Sequence, residues 1–134
     1  MKRLLLLLTL ALSVSFLTPA RADEPAATTP PKKQTFVYVL RLVPRLHDDK
    51  AWSKEDSAVV GRHFQKLKDA TAAGTVVFAG RTMESGDKTF GLVVFEAAHP
   101  EEAKTFAESD PAVTGGVMTV TVHPFALVLQ RTSP

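Results

Sequence analysis

The chain has 134 residues, with 16 Lys and Arg against 14 Asp and Glu, and it contains no cysteine. This length is too short for two ordinary domains, and the lack of cysteine excludes thiol catalysis and cysteine-ligated zinc or iron–sulfur centres. The first 22 residues hold three of the basic residues and no acidic one. From residue 23 onward, 13 basic residues therefore face 14 acidic ones, and no clustered Lys/Arg face predicts nucleic-acid binding.

The N-terminus has the pattern of an export signal. Lys2 and Arg3 precede an apolar run over residues 4–16, and small residues at positions 20 and 22 form a cleavage site. The apolar run is shorter than the roughly 20 residues of a membrane-spanning helix. Residues 1–22 are therefore predicted to be a signal peptide, and the mature protein is predicted to be periplasmic or secreted and free of the membrane. An uncleaved membrane anchor is the alternative.

Residues 23–34 separate this signal from the folded part of the chain. They read DEPAATTPPKKQ, which is rich in proline, alanine and threonine and has no apolar periodicity. Such a composition predicts a flexible tether, with an arm that packs on a partner as the alternative. Residues 35–131 are then predicted to form a single domain.

The first half of this domain predicts a strand followed by a helix. Residues 35–43 alternate on two largely apolar faces, which is typical of a strand covered on both sides. Residues 53–73 place apolar side chains at helical spacing. Ser53 and Asp56 have the spacing of a capping box at the start of this helix, and Gly74 stands where a left-handed C-terminal cap belongs.

The second half repeats the pattern in a different order. Residues 75–79 and 89–97 predict two strands with a turn between them. Pro100, followed by two glutamates, starts a second helix that runs to about residue 109. Residues 117–130 predict the last strand, broken near Pro124, which cannot donate to a sheet ladder.

The predicted order is therefore βαββαβ, an α+β arrangement of the ferredoxin-like kind. In this plan an antiparallel sheet carries both helices on one face. The other face is left without helical cover, and here it is apolar as well. Because a broad apolar face favours association, we expect a homodimer in which two sheets pack face to face.

His63 and Asp110 are the candidate catalytic residues. His63 lies at the margin of the apolar stripe of the first helix, and an imidazole titrates close enough to neutral pH to act as general acid or base. Asp110 stands at a helix boundary because Pro111 disfavours the helical conformation for it. The sandwich can bring Asp110 to His63, where a carboxylate would orient the ring. The alternatives are a histidine that only packs and an aspartate that only satisfies its own turn.

Arg81 is the candidate substrate-binding residue. It follows the second strand, and its guanidinium could hold an anionic group, although a surface ion pair is an equal alternative. Gly115 and Gly116 predict a tight turn whose amides could add anion contacts near Asp110, but two glycines are a weak signal.

The other histidines suggest structural roles. His47 beside Asp48 and Asp49 forms a local loop cluster without the spacing of several metal ligands, so no metal site is predicted. His99 is interpreted as a helix-entry residue. His123 precedes a proline in a strand and is interpreted as structural.

Several short segments together suggest a family. They are RHF at 62–64, AGRT at 79–82, FGLVVF at 90–95, ESDPAV at 108–113, GVM at 116–118 and HPF at 123–125. In this order they resemble the YCII-related proteins over most of the predicted domain. The resemblance implies a ferredoxin-like fold forming a dimeric α/β barrel, similar to muconolactone isomerases, and an active-site His and Asp that map onto His63 and Asp110. Most members of the family lack an established reaction.

Two functional hypotheses follow. In the first, the protein is a small exported enzyme without a cofactor. His63 would move a proton on a small organic molecule bound in a pocket between the sheet and the first helix. Asp110 would orient the imidazole, and Arg81 would position the substrate. In the second, the protein is a non-catalytic module that binds a small ligand or only assembles as a dimer.

Overall fold

The structure is a computed structural model, and it describes residues 32–131. The predicted signal peptide and all but the last three residues of the predicted tether lie outside the described residues. The regular elements in chain order are β1 (Gln34–Leu42), α1 (Lys54–Ala72), β2 (Val76–Arg81), β3 (Phe90–Ala97), α2 (Pro100–Glu108), α3 (Pro111–Thr114) and β4 (Met118–Pro124). Short 3₁₀ turns lie in the loops after β1 and before β3.

The four strands form one sheet in the order β2-β3-β1-β4. Every neighbouring pair is antiparallel, which confirms the predicted ferredoxin-like α+β fold. On β1, the side chains of Phe36, Tyr38 and Leu40 point to the helix-covered face and are buried. Leu67 of α1 and Ala107 of α2 belong to the same core cluster. Both helices therefore cover one face of the sheet, as predicted.

The ends of α1 follow from local chemistry. Ser53 Oγ accepts a hydrogen bond from the Asp56 amide at 3.0 Å, and the Asp56 carboxylate accepts one from the Ser53 amide at 2.9 Å. Arg45 adds a forked contact to the same carboxylate. Gly74 follows the helix with a φ of 76°, a conformation that favours glycine. The predicted capping box and C-terminal cap are both confirmed.

Two buried clusters hold the helices on the sheet. In the larger one, the Phe95 ring lies 5.5 Å from the Tyr38 ring and 4.8 Å from the Phe106 ring, measured between centroids. The smaller cluster joins Val59 of α1 to Ala112 of α3, together with Leu46 and Val117. This smaller cluster packs α3 directly against α1.

The end of the chain departs from the prediction. Strand β4 ends at Pro124, where a break was predicted, but no strand resumes over residues 125–131. Pro124 cannot donate a ladder hydrogen bond, and β4 lies at the edge of the sheet, where no further strand lies beside it. None of the helices within residues 32–131 is long and apolar enough to cross a membrane.

Candidate active site

The structure brings His63 and Asp110 into direct contact. His63 Nδ1 lies 2.7 Å from Oδ1 and 2.9 Å from Oδ2 of Asp110. His63 comes from α1, and Asp110 is the residue that caps the N-terminus of α3. The predicted contact between the two side chains is therefore present, while their catalytic role stays a prediction.

Asp110 is completely enclosed by hydrogen-bond donors. Its side chain has 0% exposure. Oδ2 accepts a hydrogen bond from the Tyr38 hydroxyl at 2.9 Å, and Oδ1 accepts one from the Ala112 amide at 2.8 Å. With His63 as the third donor, both carboxylate oxygens are engaged inside the protein. A substrate therefore has no access to this carboxylate except through His63.

The protonation state of Asp110 follows from its surroundings. Burial by itself raises the pKa of the carboxyl group. The hydrogen bonds from His63, the Ala112 amide and Tyr38, together with the attraction of a charged imidazole, outweigh burial and hold the pKa of Asp110 below its ordinary value. Asp110 is consequently an ionised acceptor at neutral pH.

An ionised Asp110 determines which ring nitrogen of His63 carries the proton. A carboxylate can only accept hydrogen bonds, so Nδ1 of His63 must carry a proton, and in the neutral ring Nε2 is left with the free lone pair. Nε2 makes no hydrogen bond to any described residue, and no buried side-chain nitrogen or oxygen among those residues lacks a partner. Nε2 therefore reaches solvent, on a side chain that is 13% exposed.

Tyr38 is the residue of this site that sequence reasoning missed. It was placed on an apolar face of the first strand without any role. Burial, the negative charge of Asp110 and the hydrogen bond to it all raise the pKa of the Tyr38 hydroxyl, so the phenol is a neutral donor. The available signal was a tyrosine on an otherwise apolar strand face, because a buried hydroxyl needs a hydrogen-bond partner.

Lys66 of α1 lies close to the pair and is half-buried. Its ammonium donates to the Phe106 carbonyl at 2.7 Å and to Ser109 Oγ at 3.1 Å, and it lies 4.5 Å from the centre of the Phe106 ring. Burial lowers the pKa of Lys66, against the opposing charge of Asp110. The side chain thus ties α1 to the end of α2, directly before Asp110.

Gly115 controls how closely α3 approaches α1. A Cβ atom at Gly115 would lie 2.7 Å from Val59 Cγ1, closer than side chains pack. Val59 is one helical turn before His63, so this approach places Asp110 beside the imidazole. The expected anion contacts of the glycine amides are absent, because Gly115 and Gly116 donate to the carbonyls of Pro111 and Val113.

Arg81 lies at the end of β2 and does not touch the pair. It is exposed, and the one hydrogen bond of its side chain to the described residues is a 3.4 Å contact to the neighbouring Thr82 carbonyl. Arg81 pairs with Gly91, which in turn pairs with Leu40, so Arg81 belongs to the helix-covered face. From strand spacing, its Cα lies about 12 Å from that of Tyr38.

The predicted pocket around the pair does not coincide with either of two grooves on the described part of the chain. One groove, of about 570 Å³, follows α1 beside Lys66. The other, of about 310 Å³, lies between α2 and β4. Neither is lined by His63 or Asp110. These two grooves therefore do not supply the predicted pocket.

The remaining histidines have local partners. A ring nitrogen of His47 lies 3.2 Å from the Leu42 carbonyl. His99 caps α2 by accepting from the Glu102 amide, and His123 contacts Thr121. Within residues 32–131, no group of three or more His, Cys, Asp or Glu side chains is arranged to hold a metal ion.

Comparison with known proteins assigns the chain to a family. The sequence profile of the YCII-related domain matches residues 38–126, more than half of the chain. The protein therefore belongs to the YCII-related family, which confirms the resemblance found in the sequence. No curated protein matches the chain.

A solved structure supports the fold. The chain is similar to 5-chloro-2-hydroxyhydroquinone dehydrochlorinase (TftG) from Burkholderia phenoliruptrix AC1100, whose structure contains 2,5-dihydroxybenzoquinone. The TM-score is 0.53 at 19% sequence identity, and the match covers 69% of this chain and 93% of that chain. At this level of identity the likeness shows a shared fold.

Proposed function

We propose that this protein is an exported enzyme that transfers a proton on a small organic molecule, with His63 as the catalytic residue and no cofactor. One observation carries the proposal: a fully buried carboxylate holds Nδ1 of an imidazole whose Nε2 reaches solvent. A histidine that only packs would not require a buried, ionised partner, whereas a general base gains from one.

The proposed proton transfer needs only the side chains of His63 and Asp110. Nε2 of neutral His63 takes a proton from the substrate, and the ring becomes an imidazolium while the electron pair stays on the substrate. Asp110 stabilises that cation through Nδ1–H and does not itself take the proton. The imidazolium then returns the proton to another atom of the product or to a leaving group, which restores the neutral ring. Asp110 is therefore a positioning residue that acts through His63.

Arg81 is proposed to bind an anionic group of the substrate. It is exposed at the open end of β2 on the helix-covered face, and its guanidinium has no carboxylate partner among the described residues. Gly91, between Arg81 and Leu40, contributes no side chain that would fill the space. A planar anion of the hydroxyquinone kind, such as the ligand of the neighbouring structure, is the first class to test.

The test combines ligand binding with turnover. The purified protein is screened by thermal shift against small organic acids and hydroxyquinones, because a ligand of the native state raises the melting temperature. Turnover of each binder is then followed. His63→Ala should reduce the rate by about 10²–10⁴-fold, whereas the control His99→Asn, at an exposed histidine that lies outside the sheet and caps α2, should leave it unchanged. An unchanged rate in His63→Ala would remove the imidazole from the mechanism.

The alternative is a non-catalytic module that binds a small ligand or only assembles. Neither of the two grooves described above is lined by His63, which favours this alternative. Binding without turnover, with equal affinity in the wild type and His63→Ala, would establish it.

Export and homodimerisation belong to the same proposal. The signal-peptide pattern supports export, and N-terminal sequencing of the processed protein should begin at Asp23 if cleavage follows Ala22. A dimer is supported by the sheet face opposite the helices, where Val37, Val39 and Leu92 are incompletely buried and Phe78 is 44% exposed. Pairing of two such faces would form the α/β barrel implied by the resemblance.

A further inference from the structure

The buried Tyr38 hydroxyl of β1 donates a hydrogen bond to Asp110, but the proposed proton-transfer step does not use it. Tyr38 is the one tyrosine of the 134-residue chain and has no exposed surface. Its neighbours on the same strand face, Phe36 and Leu40, are apolar. A phenylalanine would fill this position without requiring a polar partner, so the hydroxyl itself needs an explanation. Its hydrogen bond goes to Asp110.

We propose that Tyr38 is a positioning residue that fixes the Asp110 carboxylate in the orientation in which it holds His63. An effect of Tyr38 on catalysis rests on the proposed function, whereas its hydrogen bond to Asp110 does not. Two donors from two different elements define the carboxylate plane: the Tyr38 hydroxyl from β1 on Oδ2, and the Ala112 amide from α3 on Oδ1. The side of the carboxylate left open faces His63 Nδ1 at 2.7 and 2.9 Å.

Removing the hydroxyl should therefore affect both members of the pair. With only the Ala112 amide left, the carboxylate can rotate about its last side-chain bond, and the imidazole loses its fixed acceptor. The groups facing Asp110 are His63 and the more distant Lys66 from α1, Tyr38 from β1, and the Ala112 amide from α3. Tyr38 donates to the charged form of Asp110, so its loss should raise the pKa of that carboxyl group.

The test is an NMR titration of the purified protein labelled with ¹³C and ¹⁵N. In the wild type, His63 should be found in the Nδ1–H tautomer when neutral. In Tyr38→Phe, the Asp110 carboxyl signal should titrate at higher pH, and a measurable fraction of His63 should shift to the Nε2–H tautomer. The matched control is Phe36→Leu, on the same face of the same strand and equally buried. This control loosens the core without removing a donor and should leave both signals in place.

A second probe avoids any loss of folding in Tyr38→Phe. Because the chain has one tyrosine, growth on 3-fluorotyrosine modifies only Tyr38 and makes its phenol a stronger hydrogen-bond donor. The Asp110 titration should then move in the opposite direction, to lower pH. Opposite shifts in the two proteins are the result expected of a positioning residue.

Two outcomes would overturn the proposal. One is an unchanged Asp110 titration and His63 tautomer in both Tyr38 probes. The other is the same change in Phe36→Leu, which would assign it to general loosening of the core. Neither readout depends on turnover, so failure to find a substrate would count against the proposed function alone. Conversely, unchanged NMR signals with a large activity loss in His63→Ala would count against the role of Tyr38 alone.

Discussion

His63 and Asp110 differ in their access to solvent. The imidazole presents Nε2 to the outside, whereas the carboxylate has no exposed surface and three kinds of donor around it. Burying a carboxylate without such donors would favour its neutral form. The hydrogen bonds to Asp110 therefore keep a negative charge inside the protein, next to His63.

This arrangement predicts a specific response to acid. The folded-state pKa of Asp110 is lowered, so its contribution to stability is complete above the unfolded pKa of about 3.9. The contribution is lost as the pH falls through the folded value. The free energy of unfolding in urea should therefore drop below about pH 4.

The matched variant is Asp110→Asn, which has no carboxyl group to titrate. Its unfolding free energy should be lower than that of the wild type at pH 5 and should fall less steeply below pH 4. Asp56 also has a lowered pKa, caused first by its hydrogen bonds with Arg45 and Ser53, and it titrates in both proteins. Equal slopes in the two proteins would show that folding does not lower the pKa of Asp110.

At the scale of elements, the site depends on how α1 meets α2 and α3. Lys66 donates to the Phe106 carbonyl in the last turn of α2, where a cation is favoured by the helix dipole. Gly115 permits α3 to pack against Val59. Both contacts fall within one helical turn of His63 on α1. They hold the segment that carries Asp110 against the imidazole.

Gly115→Ala should move α3 away from α1. The added methyl group would overlap Val59 and the Pro111 carbonyl, and overpacking of this kind costs about 1–3 kcal/mol. We expect a loss of stability of that size in urea unfolding and a loss of turnover, because Asp110 moves away from His63.

The control for this variant is Gly61→Ala, in the same helix as His63. A Cβ atom there meets nothing within 4 Å, and alanine is preferred to glycine inside a helix by about 0.5–1 kcal/mol. Gly61→Ala should therefore stabilise the protein and leave the site intact. If Gly115→Ala proved equally benign, the close packing of α3 on α1 would not determine the site.

At the scale of the whole molecule, one sheet face is covered by helices and the other is open. The open face combines apolar side chains on β1, β2 and β3 with the polar Thr119 and Thr121 on β4. Beyond β4, Leu127, Val128 and Leu129 add further exposed apolar surface. A contiguous exposed apolar face is a common feature of association sites.

We therefore expect light scattering of the purified protein to give twice the mass of one chain. Val39→Asp places a charge at the centre of the open face and should shift the mass to that of a monomer. The control Lys68→Asp, at an exposed position of α1, should stay dimeric. A wild-type protein that is monomeric at all concentrations would contradict the proposed dimer.

The sequence by itself determined the order of the four strands and the two longer helices and most of their ends, but it did not predict the short helix α3. Strand alternation, the Ser53–Asp56 capping box and Gly74 are local signals, because each depends on residues a few positions apart. The same kind of local signal placed Asp110 at a helix boundary. The pairing of His63 with Asp110 came from the family resemblance and from the general geometry of the fold.

Only the tertiary structure decided what surrounds that pair. His63 and Asp110 are 47 residues apart, and Tyr38 and Asp110 are 72 apart, so no local pattern connects them. The burial of Lys66 and the close approach at Gly115 likewise depend on how α1 meets α2 and α3. Hydrogen bonds between residues far apart in the sequence form only when the helices and strands that carry those residues pack together. That packing depends on side chains from every part of the domain.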